Sequence, residues 1–255
     1  MSLSLARRVP ARARRELVLT WAACVAILVA AKLVAGIEPT GLLGGNLAGV
    51  AAFLFIVLPE RRIHREGERW ADFGLPWSGF ATRETWRAWG RGLAVALAVC
   101  AVVFPVFFAG FWAYGRLLPS LPHGLAAALA PYALPPSPHL RLPPRFAVAA
   151  VVQLLVVALP EELFYRGWMQ TTWAATDPRR GVNVLGARLG AGFLVTQGLF
   201  AAGHLVVLQP WRLATFFPGL LFGWVRERTG NLAAPVVVHA LSNLFLATLE
   251  ASFYG

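Results

Sequence analysis

Charge is scarce in this chain. Only 14% of the 255 residues are charged, where a soluble domain of this size carries about 25%. Hydrophobic residues reach 58%, and the mean hydropathy is +0.61. This balance, with several long apolar runs, excludes an ordinary soluble globule and indicates a polytopic membrane protein. Aspartate is nearly missing: Asp72 and Asp177 are the only two, and both lie in loops between apolar runs. An intramembrane aspartyl dyad is therefore excluded. There is no His-Glu-x-x-His, so the common helical zinc-protease arrangement is missing too. Ser242 sits in Leu-Ser-Asn without a glycine-flanked elbow, which argues against a serine nucleophile of that type. The two cysteines, Cys24 and Cys100, both fall inside apolar runs and read as small packing residues, not as a disulfide. No internal repeat is visible, which leaves an inverted-repeat transporter using Glu161 as a proton site without its usual symmetry.

Arginine is what remains. The net charge is +11, and Lys32 is the only lysine. The arginines are dispersed between apolar runs and not gathered on one face, so the charge does not indicate nucleic acid. Arginines in short loops instead hold a spanning protein in orientation. Arg7, Arg8, Arg12, Arg14 and Arg15 precede the first apolar run. That run is long enough to span, which favours a retained anchor over a cleaved signal peptide.

The fold class expected is all-α, a polytopic transmembrane helical bundle of about seven spans. Candidate spans are Leu17–Gly36, Leu42–Leu58, Gly92–Leu118, Phe146–Trp173, Leu189–Leu208, Trp211–Val225 and Leu232–Leu249. The fourth is expected to kink at Pro160. The sixth carries Gly219-Leu220-Leu221-Phe222-Gly223, a small-xxx-small pattern for close helix contact. Between the second and third spans, Glu60 to Arg91 alternates arginines with Trp70, Trp77, Trp86 and Trp89. This suits either a segment at headgroup level on an anionic leaflet or a solvated loop with aromatic anchors. Pro119 to Pro144 is too proline-rich for one helix and reads as a long loop, with a short helix at Gly124–Tyr132. Asp177 to Arg188 reads as a polar loop. Two regions follow: 1–145, with the N-terminal spans, basic segment and proline-rich loop, and 146–255, with the functional core. With the N-terminus inside, the inside segments hold the five N-terminal arginines, the basic stretch from Arg61 to Arg91, Arg179, Arg180, Arg188, Arg226 and Arg228. The outside segments hold only Arg116, Arg141, Arg145 and Arg212. The positive-inside rule then puts the C-terminus outside.

Within the apolar spans a few polar groups stand out. Ionisable side chains in hydrocarbon persist mainly when paired or used. The fourth span holds Glu161, Glu162 and Arg166, the fifth His204, and the seventh His239 and Asn243. Residues four apart share a helix face, so Glu162 can pair with Arg166, and His239 and Asn243 can point into one cavity. Glu161 is turned about 100° from Glu162 and lacks a local cation. Its partner must come from another helix. Such a set suits hydrolysis. A carboxylate in an apolar cavity becomes a better base toward water. One histidine can hold that water or pass a proton to the leaving amine, and another with an asparagine amide can donate to an oxyanion. Taken alone, His204 also fits a helix-packing hydrogen bonder, and Glu162–Arg166 a structural pair.

Glu161-Glu162-x-x-x-Arg166, Phe200-x-x-x-His204 and His239-x-x-x-Asn243, in that order on separate spans, resemble the three-motif signature of the CPBP family. That family comprises the type II CAAX prenyl endopeptidases and the bacteriocin-processing or self-immunity (Abi) proteins. The stretch from Phe217 to Asn231 also resembles the family's segment before the last motif. The resemblance covers roughly Phe146 to Leu249, and the first three spans are not distinctive. It implies an intramembrane endopeptidase of a bacterial-type inner membrane, acting on a membrane-associated peptide or protein such as a prenylated tail or a leader. By the same resemblance Glu161 would be the general base that activates water, and His204 would assist it. His239 and Asn243 would stabilise the oxyanion, and Glu162 and Arg166 would support the site. No cofactor is implied. Zinc held by Glu161, His204 and His239 is the alternative on ligand count. A non-catalytic membrane partner or immunity protein, keeping the motifs as packing elements, is the alternative of another class.

Overall fold

A computed structural model of the chain describes residues 10–79, 81–129, 139–176 and 181–254. Arg7 and Arg8, the prolines at 131, 135, 136 and 138, Tyr132, and Asp177, Arg179 and Arg180 lie outside the described residues. Each of the seven apolar segments forms helix, as backbone groups with no water to bond must. In chain order the helices are α1 (Pro10–Ala35), α2 (Leu42–Gly45), α3 (Leu47–Arg65), α4 (Arg83–Leu117), α5 (His123–Leu129), α6 (Phe146–Ala175), α7 (Ala191–Gly203), α8 (Phe216–Thr229) and α9 (Ala233–Tyr254). This is an all-α membrane bundle.

Four helical stretches are long and apolar enough to cross a membrane: Ala11–Ala35, Arg83–Ser120, Phe146–Ala175 and Ala233–Tyr254. The remaining expected spans come out differently. Leu189 ends a strand, so the fifth segment starts as helix only at Ala191 and finishes in a 3-10 turn, His204–Val207. The sixth begins with a second 3-10 turn, Pro210–Thr215, ahead of α8. The second continues as α3 through Glu60 and four basic residues.

The basic segment expected between Glu60 and Arg91 is accordingly divided among three elements. Arg61, Arg62 and Arg65 end α3, and a 3-10 turn holds Trp70–Phe73. Arg83, Arg87 and Arg91 open α4. Its aromatics divide as well. Phe73 is fully buried and Trp70 packs beside it, whereas Trp77 and Trp86 are exposed. The stretch from Asp177 to Arg188, expected as loop alone, contains an antiparallel hairpin of β1 (Val182–Val184) and β2 (Ala187–Leu189). It turns at Leu185 and Gly186, both with positive φ.

Pro160 loosens α6. Proline has no N–H to donate, and its ring crowds the carbonyl four residues back. The helix widens into π-type turns on both sides, at Gln153–Ala158 and Leu163–Gln170, with Leu159–Glu162 a short α stretch between them. Such turns are concentrated at functional sites.

The core gathers around α6. Phe164, Tyr165, Trp168 and Met169 pack with Leu17 and Cys24 of α1, Leu54, Phe55 and Ile63 of α3, and Phe200 of α7. On the other side α9 packs most extensively against α4, through Ala96, Cys100, Ala234 and Val238 with Phe222 and Val225 of α8. Gly92 makes that crossing close. A Cβ there would come within 2.5 Å of the Ala233 Cβ and 2.9 Å of its carbonyl carbon. Gly90, two residues earlier, faces open space. Gly92→Ala should therefore destabilise the bundle by about 1–3 kcal/mol, as overpacked sites do. Gly90→Ala should be neutral or slightly stabilising, because alanine favours helix over glycine. Thermal unfolding of the two variants in detergent, side by side, checks this.

Candidate active site

The α stretch Leu159–Glu162 presents two successive carboxylates. Glu162 is fully buried. Its Oε1 accepts a 2.8 Å hydrogen bond from Arg166 Nη1, one turn along the helix, and lies 2.8 Å from His239 Nδ1 of α9. Glu161 is partly open. Its Oε2 lies 3.8 Å from Nε2 of the same imidazole and has no hydrogen-bond partner among the described residues. The two glutamates thus meet the two nitrogens of one histidine. Phe222 stacks on the His239 ring, with centroids 4.5 Å apart and planes 19° apart, and Phe200 meets it edge-on.

Arg166 has no exposed surface, and a buried cation needs several partners. Its Nη1 goes to Glu162. Its Nη2 donates to Gln197 Oε1 at 2.8 Å and to the Gly219 carbonyl at 3.1 Å. The guanidinium carbon lies 4.2 Å from the Phe200 ring centroid, a cation–π contact. The amides continue the chain. Gln197 Nε2 donates to Gln170 Oε1, and Gln170 Nε2 donates to the Gly223 carbonyl and to Glu227 Oε1. Gly219 and Gly223 make this geometry available. A Cβ on Gly223 would come within 2.6 Å of Gln197 Nε2 and 2.9 Å of Gln170 Oε1. Without side chains, the two residues let their carbonyls face α6 directly.

Glu161, Glu162, Arg166 and His239 are therefore gathered. The Glu162–Arg166 pair expected from the four-residue spacing is present, and Glu162 also bonds the imidazole. The other two residues stand one step away. His204 opens the 3-10 turn after α7. Its Nδ1 is 2.8 Å from the Phe200 carbonyl and its ring meets Phe200 edge-on at 4.7 Å, so Phe200 separates it from His239. A carbonyl can only accept, which fixes the His204 proton on Nδ1 and leaves Nε2 free when the ring is neutral. Asn243, one turn beyond His239, donates its amide to Gln153 Oε1 at 2.8 Å. One of its two N–H groups is occupied in this way.

Gln153, Gln170 and Gln197 were not anticipated. The signals existed. Gln153 alone breaks the apolar run from Phe146 to Leu159. Gln170 extends the Glu162–Arg166 spacing by another four residues, which marks one helix face. Among the described residues no three His, Cys, Asp or Glu side chains form a group able to hold a metal ion. Glu161, His204 and His239 accordingly do not form such a group.

Residues 143–245 match a family model described as "Rce1-like: Type II CAAX prenyl endopeptidase Rce1-like". The matched segment contains all the motif residues described above. The match supports the CPBP reading of that segment. It supports, in general terms, a CAAX-type intramembrane protease, and the apolar helices fit an integral membrane location. No curated protein and no solved structure matches the chain.

Removing one partner of a buried pair leaves the other uncompensated. Arg166→Met should destabilise this core by about 3–5 kcal/mol. Combining it with Glu162→Gln should recover part of the loss, because the stranded charge is then removed. Melting temperatures of the single and double variants in one detergent measure the difference.

Proposed function

We propose that the chain is a glutamate-dependent intramembrane endopeptidase that cuts a membrane-associated peptide or protein, with Glu161 as its general base. The observation that carries this is the state of the two carboxylates. Glu162 is fully buried with its Oε1 bonded to both Arg166 and His239, whereas Glu161 is partly exposed with its Oε2 3.8 Å from His239 Nε2; the Oε2 of either residue has no hydrogen-bond partner among the described residues. In this reading a water taken up between Glu161 Oε2 and His239 Nε2 is the nucleophile. Glu161 takes a proton from that water as its oxygen attacks the scissile carbonyl carbon. The C–N bond then breaks, and the proton passes to the leaving amine. His204, with Nδ1 committed to Phe200, offers Nε2 to orient the water or the amine.

The oxyanion that forms on the carbonyl oxygen needs donors. Asn243 keeps one amide N–H beyond its bond to Gln153. His239, whose Nδ1 faces Glu162, donates from Nε2 when both ring nitrogens carry a proton. Arg166 and the glutamines touch no substrate in this scheme. They hold Glu162, and through it the His239 ring.

Glu161→Gln keeps the shape of the side chain and removes the base. Processing of a native membrane substrate should fall by at least about 10²-fold, with the melting temperature little changed. Undiminished processing would sink the assignment and favour a non-catalytic partner role. Asn243→Ala should cost about 10²-fold, the usual loss for one oxyanion donor. Gln153→Leu should cost less, because it frees the Asn243 amide without removing it. Turnover assays on purified enzyme in lipid resolve the order. The same assays should be insensitive to chelators, and stoichiometric zinc lost together with activity would overturn this mechanism.

A further inference from the structure

Away from the catalytic residues, α1 and α3 enclose a groove of about 260 Å³ on the outer side of the bundle. Leu19, Thr20 and Ala23 of α1 form one wall. Leu58, Arg61, Arg62 and Arg65 of α3 form the other. The opposite faces of the same helices, through Leu17, Cys24, Phe55 and Ile63, are buried against α6. The groove is therefore separate from the site that holds Glu161.

Two chemistries meet there. The floor is apolar, and Leu19 is 55% exposed. The rim is cationic. Among the described residues Glu16 is the only acid ion-paired with the rim, with Oε1 3.2 Å from Arg12 and 3.8 Å from Arg62. Among the described residues Arg61 and Arg65 make no ion pair. The Arg12–Glu16–Arg62 contacts bring the N-terminal end of α1 beside the C-terminal end of α3. The arginines thus sit at one end of the α1 span, and Leu19 and Ala23 lie farther along α1, toward its middle.

We propose that this groove is a binding site for one anionic phospholipid, its phosphate held by Arg61 and Arg65 and an acyl chain lying on Leu19, Ala23 and Leu58. Basic pockets between spanning helices take anionic headgroups in this way, and a guanidinium matches a phosphate with paired donors. A free phosphate would leave the apolar wall exposed, whereas a lipid covers it. The bound lipid ties α1 to α3.

Native mass spectrometry of the full chain, released from detergent with phosphatidylglycerol or phosphatidylcholine added, tests the site. One phosphatidylglycerol should be retained in preference to phosphatidylcholine. The Arg61→Ala/Arg65→Ala variant should weaken that retention at least about tenfold, given the contribution of each arginine near an anionic surface. Arg83→Ala/Arg87→Ala, which removes basic residues outside the groove, should not. Ala23→Trp fills the apolar wall and keeps every arginine, and it should also lose the lipid. A melting curve of each variant without added lipid confirms that it is folded. Retention unchanged in Arg61→Ala/Arg65→Ala or in Ala23→Trp overturns the proposal. So does equal retention of phosphatidylcholine, or displacement of phosphatidylglycerol by millimolar inorganic phosphate, which would mark a plain anion site.

Discussion

A guanidinium with no access to water organises this protein. Arg166 lies inside a membrane-spanning helix with zero exposed surface, and an unpaired cation there would cost several kcal/mol. Every partner it recruits fixes something else. Glu162 is held on its own helix, Gln197 fixes α7, the Gly219 carbonyl fixes α8, and the Phe200 ring closes the remaining side. Through Glu162 the same charge reaches α9 and orients His239. Four helices are thus brought into register by one side chain, and the carboxylate next to Glu162 is left without comparable partners.

That division of labour between adjacent glutamates makes chemical sense of an expensive arrangement. Glu162 is fully buried and its Oε1 is held by both Arg166 and His239, which suits a residue that orients. Glu161 is partly open, with an unpartnered oxygen beside an imidazole, which suits a residue that must accept a proton and release it. The aromatic walls from Phe200 and Phe222 hold the imidazole in plane and keep the surroundings apolar, where charge–charge interactions are strong.

Much of this was legible in the sequence, and for identifiable reasons. Apolar runs with few charges had to be helical membrane segments, and Glu162 and Arg166, four apart, had to share a face. The first and third motifs named four residues that meet, Glu161, Glu162, Arg166 and His239. What could not be read depends on rotation and depth. That two adjacent carboxylates both reach His239 of α9 depends on the winding of α6, and the π-type turns around Pro160 alter that winding. His204 bonds the Phe200 carbonyl and Asn243 bonds Gln153, partners that four-residue spacing did not indicate. The hairpin at Val182–Leu189 is too short to show a period, and the arginine-rich stretch carried no mark of where α3 ends and α4 begins.

The i, i+4 pairing of Glu162 with Arg166 also bears on how the protein is made. Helices inserted one at a time meet lipid before they meet one another. In α6 the buried anion and the buried cation are one turn apart on the same segment, so they neutralise each other while α7, α8 and α9 are still to be synthesised. A version with the cation supplied by α8 instead would pass through a stage in which α6 faced hydrocarbon carrying a bare negative charge. By keeping both charges on one helix, the chain makes its costliest buried interaction compatible with the order in which its segments emerge.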